Sequence, residues 1–338
     1  MSYQEKERKT VPRLLRPGIV LRERYKIMDC VGQGGMGAVY RAADLRLDGR
    51  VCAIKEIRPN LDLPPEMLAQ VQQQFHQEAS VLARLDHPNL PKVSDYFTVG
   101  KREYLVMDYV AGQDLRQALE EEKRAGRFLD ERRALAWADQ LCTALSYLHD
   151  QTPPVLHRDI KPANVKETPG GLLKLVDFGL VKLMVSDDAH TITVLQGRGT
   201  VAYTPLEQYG SDSVHTDVRS DLYALGASLY HLLTGQPPPD AKQRFLHPDS
   251  LISPRALNPR ISPATERAIL AAIAMHPDDR PPTVAAFQHM LHETFLSDAL
   301  TIIAPQRHEW RKTLAENSGL LVMVGILFVL AALLTLLL

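Results

Sequence analysis

The run His157-Arg158-Asp159-Ile160-Lys161-Pro162-Ala163-Asn164 is followed, after a short hairpin, by Asp177-Phe178-Gly179. Carboxylate and carboxamide oxygens are hard ligands for a hard cation, and a carboxylate is also well suited to take a proton from a hydroxyl. In this pattern Asp159 accepts or orients a hydroxyl proton, Asn164 and Asp177 hold Mg²⁺, and Lys161 meets a transferred phosphoryl group. Mn²⁺ suits the same oxygen ligands.

A second cluster lies upstream. Gly32, Gly34 and Gly37 spell G-x-G-x-x-G within GQGGMGAVY, where missing Cβ atoms let backbone amides approach phosphate. A dinucleotide-binding fingerprint would need a helix after these glycines; GAVYRAA reads as a strand, which disfavours an oxidoreductase. Lys55 in VCAIK can neutralise phosphate oxygens, and a buried cation or anion calls for a partner. Glu78, on the inner face of a predicted helix with Phe75 and Leu82, is the carboxylate expected to meet a cation.

The elements that must position these groups change character along the chain. From Tyr25 short strand-like runs (YKIMDCV, GAVYRAA, VCAIKEI) alternate with Gly and Asp breaks, predicting an antiparallel sheet. A helix is expected over 65–85, then two more strands near LPKVSDYF and EYLVMDYV. Beyond Gly112 helices dominate. The clearest is DERRALAWADQLCTALSYLHD, with Asp130 as cap and Trp137, Leu141, Ala144, Leu145 and Leu148 as its buried stripe. Two lobes joined near 107–112, with a ligand crevice between them, follow from that order.

Glycine loop, Lys55, Glu78, catalytic loop and Asp-Phe-Gly occur in one order, and from about Tyr25 to Phe295 the chain resembles the eukaryotic-like serine/threonine protein kinases of bacteria. The resemblance implies an α+β bilobal kinase fold: a small antiparallel-sheet N-lobe (25–107), a hinge (108–112) and a larger helical C-lobe (113–295). It implies ATP as phosphoryl donor, bound by Gly32, Gln33, Gly34, Gly35, Gly37, Val39, Ala53 and Lys55, with Met107 as gatekeeper. Asp108 to Val110 would then offer backbone hydrogen bonds to adenine and Asp114 would hold ribose. Leu82, Val93, His157 and Phe178 would stack as an apolar spine anchored by Asp221.

The same resemblance assigns acceptors and regulation. Lys161 and Thr200, in GTVAYTPLEQY, match serine/threonine rather than tyrosine specificity, with protein substrates that include the chain itself, in a homodimer or an encounter between copies. Arg158 implies a cationic pocket for a phosphorylated loop, with Thr191 and Thr193 as candidate phosphosites and Ser186 behind them. Glu207 would pair with Arg280. Two departures stand out: Leu206 replaces the usual middle proline of Ala-Pro-Glu, and Lys166 replaces an apolar residue beneath adenine. A pseudokinase scaffold would usually lack Lys55, Asp159 or Asp177, and none is missing. A small-molecule phosphotransferase is the other alternative, disfavoured by the peptide-docking segment GTVAYTPLEQY.

Composition bounds the rest. Across 338 residues, 39 basic and 40 acidic side chains give a formal charge of −1, so no whole-chain attraction to nucleic acid is expected. Cys30, Cys52 and Cys142 are widely spaced and read as reduced thiols. Residues 1–24 form a basic arm without a secretory signal, expected to be poorly ordered. Leu320 to Leu338 is uncharged and long enough to cross a bilayer as a helix. Arg307, Arg311 and Lys312, in the preceding juxtamembrane segment 296–319, are expected to keep the kinase region cytoplasmic in a single-pass, tail-anchored protein inserted after synthesis, without an extracellular domain.

Overall fold

Period-two burial builds the first half of the molecule, which a computed structural model describes, with the rest, over residues 14–34, 37–58, 65–178, 201–209 and 216–293. Strands β1 (Val20–Leu21), β2 (Tyr25–Gly34), β3 (Gly37–Asp44), β4 (Val51–Ile57), β5 (Val93–Val99) and β6 (Arg102–Asp108) form one antiparallel sheet in the order β1-β2-β3-β4-β6-β5. In β3, Ala38, Tyr40, Ala42 and Asp44 are buried while their neighbours are half-buried. That alternation gives the sheet two apolar faces. One holds Ile27, Tyr40, Ile54 and Val106, with Phe97 stacked between Tyr25 and Tyr104. The other, with Ala53, Ile57, Leu105 and Met107, packs on Phe75, Ala79 and Leu82 of helix α1 (Pro65–Leu82) and runs on into the helical half.

The folded lobe begins earlier than the sequence led us to expect. Of the arm 1–24, residues from Leu14 onward belong to the sheet layer: Val20–Leu21 pairs with β2, Leu14 and Leu15 pack on the outer core, and Leu15 N–H donates to Tyr40 Oη at 3.1 Å. Tyr40 in turn donates to the buried Glu56 carboxylate, which also accepts from Arg58 and Arg102. An outer face that would otherwise expose aromatic surface gains a cover from these residues.

A small sheet, β7 (Gln113–Asp114), β8 (Val165–Glu167) and β9 (Leu173–Leu175), joins the two halves in the order β7-β8-β9. Gly112 precedes it with φ +118, and a Cβ there would meet the Glu167 carbonyl oxygen at 2.0 Å, so only glycine fits the crossing. Helices α2 (Leu115–Arg124), α3 (Glu131–His149), α4 (Val218–Thr234), α5 (Ala241–Leu246), α6 (Pro254–Leu257), α7 (Pro263–Ala272) and α8 (Val284–His292) complete the larger half. The Asp130 side chain caps α3 by accepting from Arg133 N–H, and its stripe from Trp137 to Leu148 is buried. Helix α4 is buried on nearly every face, with α3 and α7 packed against it.

Among the described residues no helix is long and apolar enough to cross a membrane. The apolar run 320–338 and the juxtamembrane segment 296–319 lie outside the described residues.

Candidate active site

Asp221, in the first turn of α4, is a fully buried carboxylate from which the catalytic loop hangs. It accepts from His157 N–H (2.9 Å), Arg158 N–H (2.8 Å) and the His149 ring (3.0 Å). Burial alone opposes its ionisation, yet the bonds from His149 and His157 hold it below the usual carboxylate range. This anchorage supports a positive φ of 64° at Arg158, an unusual conformation for a long side chain. Burial pushes His157 down to about 4, so the ring is neutral at pH 7, and it lies 4.7 Å from the Phe178 ring.

The turn that follows brings three of the sequence-predicted residues together. Lys161 Nζ is 2.9 Å from Asp159 Oδ2, and Asn164 Nδ2 donates to the same oxygen and to the Asp159 carbonyl, each at 2.8 Å. With its nitrogen committed to Asp159, the planar Asn164 amide turns its oxygen the other way. Asp159, Lys161 and Asn164 line one wall of a cleft of about 500 Å³. The opposite wall is formed by Gly32, Gln33, Gly34, Gly37, Val39 and Ala53. At Gly37 a Cβ would lie 1.8 Å from the Glu56 carbonyl, so this residue lets β3 and β4 close up at the loop. Gly35 lies outside the described residues.

Lys55 departs from expectation. Its ammonium is 3.2 Å from Asp177 Oδ1 and donates to the Phe178 carbonyl at 3.3 Å, and Glu78 is not among its partners. Asp177, at φ 61°, turns its carboxylate into the cleft within reach of Lys55 and satisfies that charge first. The charge of Glu78 acts instead on Arg158, whose guanidinium is pushed down by burial and favoured by the nearby carboxylate. Leu82, Val93 and Phe178, three of the four residues expected to stack, line a narrow space behind Lys55 with Leu105 and Met107, and His157, the fourth, meets the Phe178 ring.

Met107, Asp108 and Val110 also line the cleft. Asp114 lines the cleft as expected of a ribose contact, but one of its oxygens accepts Gln117 N–H at 2.9 Å, capping α2 in a reciprocal capping box. One of its roughly four acceptor sites is thus spent on the helix. Lys166 lies across from Asp114 in the β7–β8 pair and lines the cleft, with no carboxylate partner among the described residues. Arg116, two residues past Asp114, lines the same cleft and was not singled out by the motifs. Its position on the first turn after the capping residue was the available signal.

Beyond the cleft, Arg280 is buried and bonds Glu207 through both terminal nitrogens at 2.6 and 3.1 Å. Ser220 Oγ donates to the same carboxylate, a partner sequence reasoning missed. Leu206, at the site of the missing proline, packs against the main core, and Pro205 before it starts a 3-10 turn over Leu206–Gln208. Thr191, Thr193, Ser186 and Thr200 lie outside the described residues.

Comparison with known proteins gives this geometry a family. Residues 25–293 match the model of the protein kinase domain. The chain is 35% identical over 300 residues to the serine/threonine-protein kinase pkn3 of Myxococcus xanthus, covering 80% of this chain and 50% of that one. It is 33% identical over 275 residues to the serine/threonine-protein kinase PknB of Mycobacterium tuberculosis, covering 78% and 42%. It thus spans half or less of the length of these two curated relatives. Among solved structures, the apo form of PpkA-294 superposes with a TM-score of 0.68 at 29% identity, covering 82% of this chain and 99% of that one. The Mycobacterium tuberculosis PknI kinase domain gives 0.62 at 27%, covering 83% and 99%. The chain belongs to the protein kinase family, in its bacterial serine/threonine branch.

Proposed function

We propose that the protein transfers the γ-phosphoryl group of ATP to serine and threonine hydroxyls of proteins, its own chain included. The observation that carries this reading is the hydrogen-bonded group Asp159, Lys161 and Asn164 on one wall of a cleft that also holds Lys55 and Asp177. Asp159 orients the acceptor hydroxyl and takes its proton, while Lys161 offsets charge on the group in transit. Lys55 and the glycine-strand amides face the donor phosphates. A divalent cation, Mg²⁺ by the hardness of the oxygens, fits the Asn164 amide oxygen and the Asp177 carboxylate. When bound it offsets phosphate charge.

Incubated with ATP and Mg²⁺, the purified chain should label a serine- or threonine-bearing protein, and Asp159→Asn should lose about 10²–10⁴ of that rate. Equal labelling by both would end this assignment. The apolar run 320–338 supports a further part of the same reading, that the enzyme is held at a membrane by one helix, with Arg307, Arg311 and Lys312 keeping the catalytic region cytoplasmic. Confinement to a bilayer raises local concentration and favours phosphorylation between neighbouring copies. Alkaline carbonate should leave the full chain in the membrane and release a chain ending near Arg307; release of both would remove the anchor from the proposal.

A further inference from the structure

We propose that Tyr40, Glu56 and the segment 14–19 form a positioning relay behind the donor-phosphate wall, which holds β3 against β4 and so sets the places from which Val39 and Lys55 reach the nucleotide. The proposal rests on the kinase reading above and adds positioning residues to the same site.

The register of the sheet gives the relay its place. Val39 pairs with Lys55, Ala38 with Glu56 and Tyr40 with Ile54. Because successive side chains alternate between faces, Val39 and Lys55 look into the cleft while Ala38, Tyr40 and Ile54 belong to the outer core. Tyr40 Oη donates to Glu56 Oε2 at 2.7 Å, a diagonal bond from β3 to β4 that crosses behind the Val39–Lys55 pair. The main chain of Glu56 is just as close to β3, since a Cβ at Gly37 would lie 1.8 Å from its carbonyl oxygen. One residue thus fixes the glycine strand from its side chain and from its backbone.

The chemistry is more than a cover for the sheet needs. The Glu56 carboxylate is fully buried and accepts from Arg58 at 2.8 Å and Arg102 at 2.6 Å as well as from Tyr40. Apolar side chains of the same volume would shield this face at a lower desolvation cost, whereas a buried carboxylate satisfied by three donors enforces one geometry. The relay also continues outward. Leu15 N–H donates to Tyr40 Oη at 3.1 Å, which leaves the single phenol proton to point at Glu56. Further along the same segment Gly18 N–H donates to the Ile27 carbonyl and Ile27 N–H to the Ile19 carbonyl, each at 2.8 Å. The segment therefore grips β2 through its main chain and β3 through Tyr40, and these are the two strands that carry Gly32, Gly34 and Gly37. The Lys55 ammonium takes its own partners from Asp177 and Phe178; what the relay fixes is the strand from which it extends.

Steady-state kinetics of the full chain in detergent, beside its variants, test the proposal. Tyr40→Phe removes the hydroxyl and keeps the ring, and KM for ATP should rise by about threefold to tenfold, part of what one hydrogen bond to a charged group is worth, while KM for a protein acceptor stays as it was. A chain without residues 1–15 should show the same rise and a chain without residues 1–12 none. Tyr40→Phe placed in the chain without residues 1–15 should add nothing further, because Leu15 acts through that hydroxyl. Phe97→Leu, in the same outer core but on β5, should lower the melting temperature and leave KM for ATP unchanged, which separates positioning from stability. A rise in KM for ATP that Phe97→Leu reproduces at a matched loss of melting temperature overturns the proposal, as do additive effects of Tyr40→Phe and the loss of residues 1–15. A parent that labels its acceptor, with a KM for ATP indifferent to Tyr40→Phe, refutes the relay alone, whereas a parent that labels neither an acceptor nor itself refutes the kinase reading with it.

Discussion

The two walls of the cleft are held in different ways. On the helical side every turn of the catalytic loop is tied down: Asp221 fixes His157 and Arg158, and Asp159 collects Lys161 and Asn164. On the sheet side Lys55 has two polar contacts, to Asp177 and Phe178 rather than to its own lobe. One wall is built in advance by buried hydrogen bonds, and the other takes its alignment from groups that a nucleotide and a cation would engage. The costly preorganisation is concentrated where charge develops in the reaction, which is where it contributes most to rate.

The sharpest way to break this contrast is to remove the anchor. Asp221→Ala strands two backbone N–H groups and the His149 ring in a buried site, and should destabilise the protein by roughly 3–5 kcal/mol in urea unfolding. Glu78→Gln, on the half-buried face of α1, should cost only about 1 kcal/mol while lowering the phosphorylation rate. Equal losses of stability in the two variants would mean that the walls do not differ as described.

Acid should probe the same wall. His157 is held neutral by burial, with its value lowered from the ordinary 6.5 to about 4, and His231, bonded to the Tyr203 hydroxyl at 2.7 Å, is lowered to about 4 as well. Between those values the unfolded chain binds protons that the folded chain refuses, so stability rises with pH there. The contribution is fully present above about pH 6.5 and is lost as pH falls through 4; for His157 it amounts to roughly 3 kcal/mol. Asp221, held below the usual range, adds a loss in the same direction at lower pH. Urea midpoints that stay flat from pH 7 to pH 4.5 would rule this out.

What could be read in advance follows the reach of each interaction. Helix α3 was legible because Asp130 and the stripe from Trp137 to Leu148 are local and periodic. The trio Asp159, Lys161 and Asn164 lies within one turn of chain, so motif and geometry coincide. The partner of Lys55 was not legible, because Phe178 lies 123 residues away and the choice between Asp177 and Glu78 depends on how α1 is set against the cleft. Leu14 and Leu15 were read as part of a loose basic arm. Only the aromatic outer face of the sheet gives them a place to pack. The second duty of Asp114, as a helix cap, was hidden by its place in a binding motif.

The smallest expected effect concerns the floor of the cleft. Lys166 presents a flexible cation where a flat apolar ring would rest, facing Asp114 on one side and Lys174 on the other across the small sheet. To serve as a floor it must lay down its methylenes and order several rotors, at a cost of about 1 kcal/mol or more that a leucine would largely avoid. Lys166→Leu should therefore lower KM for ATP by about threefold to tenfold and leave KM for the protein acceptor untouched. A rise in KM would show that the ammonium reaches donor oxygens, and would move Lys166 from the adenine floor to the charged face of the site. The contrast between the walls would then change too, because the helical side would supply a cation to the nucleotide as well as the base for the acceptor.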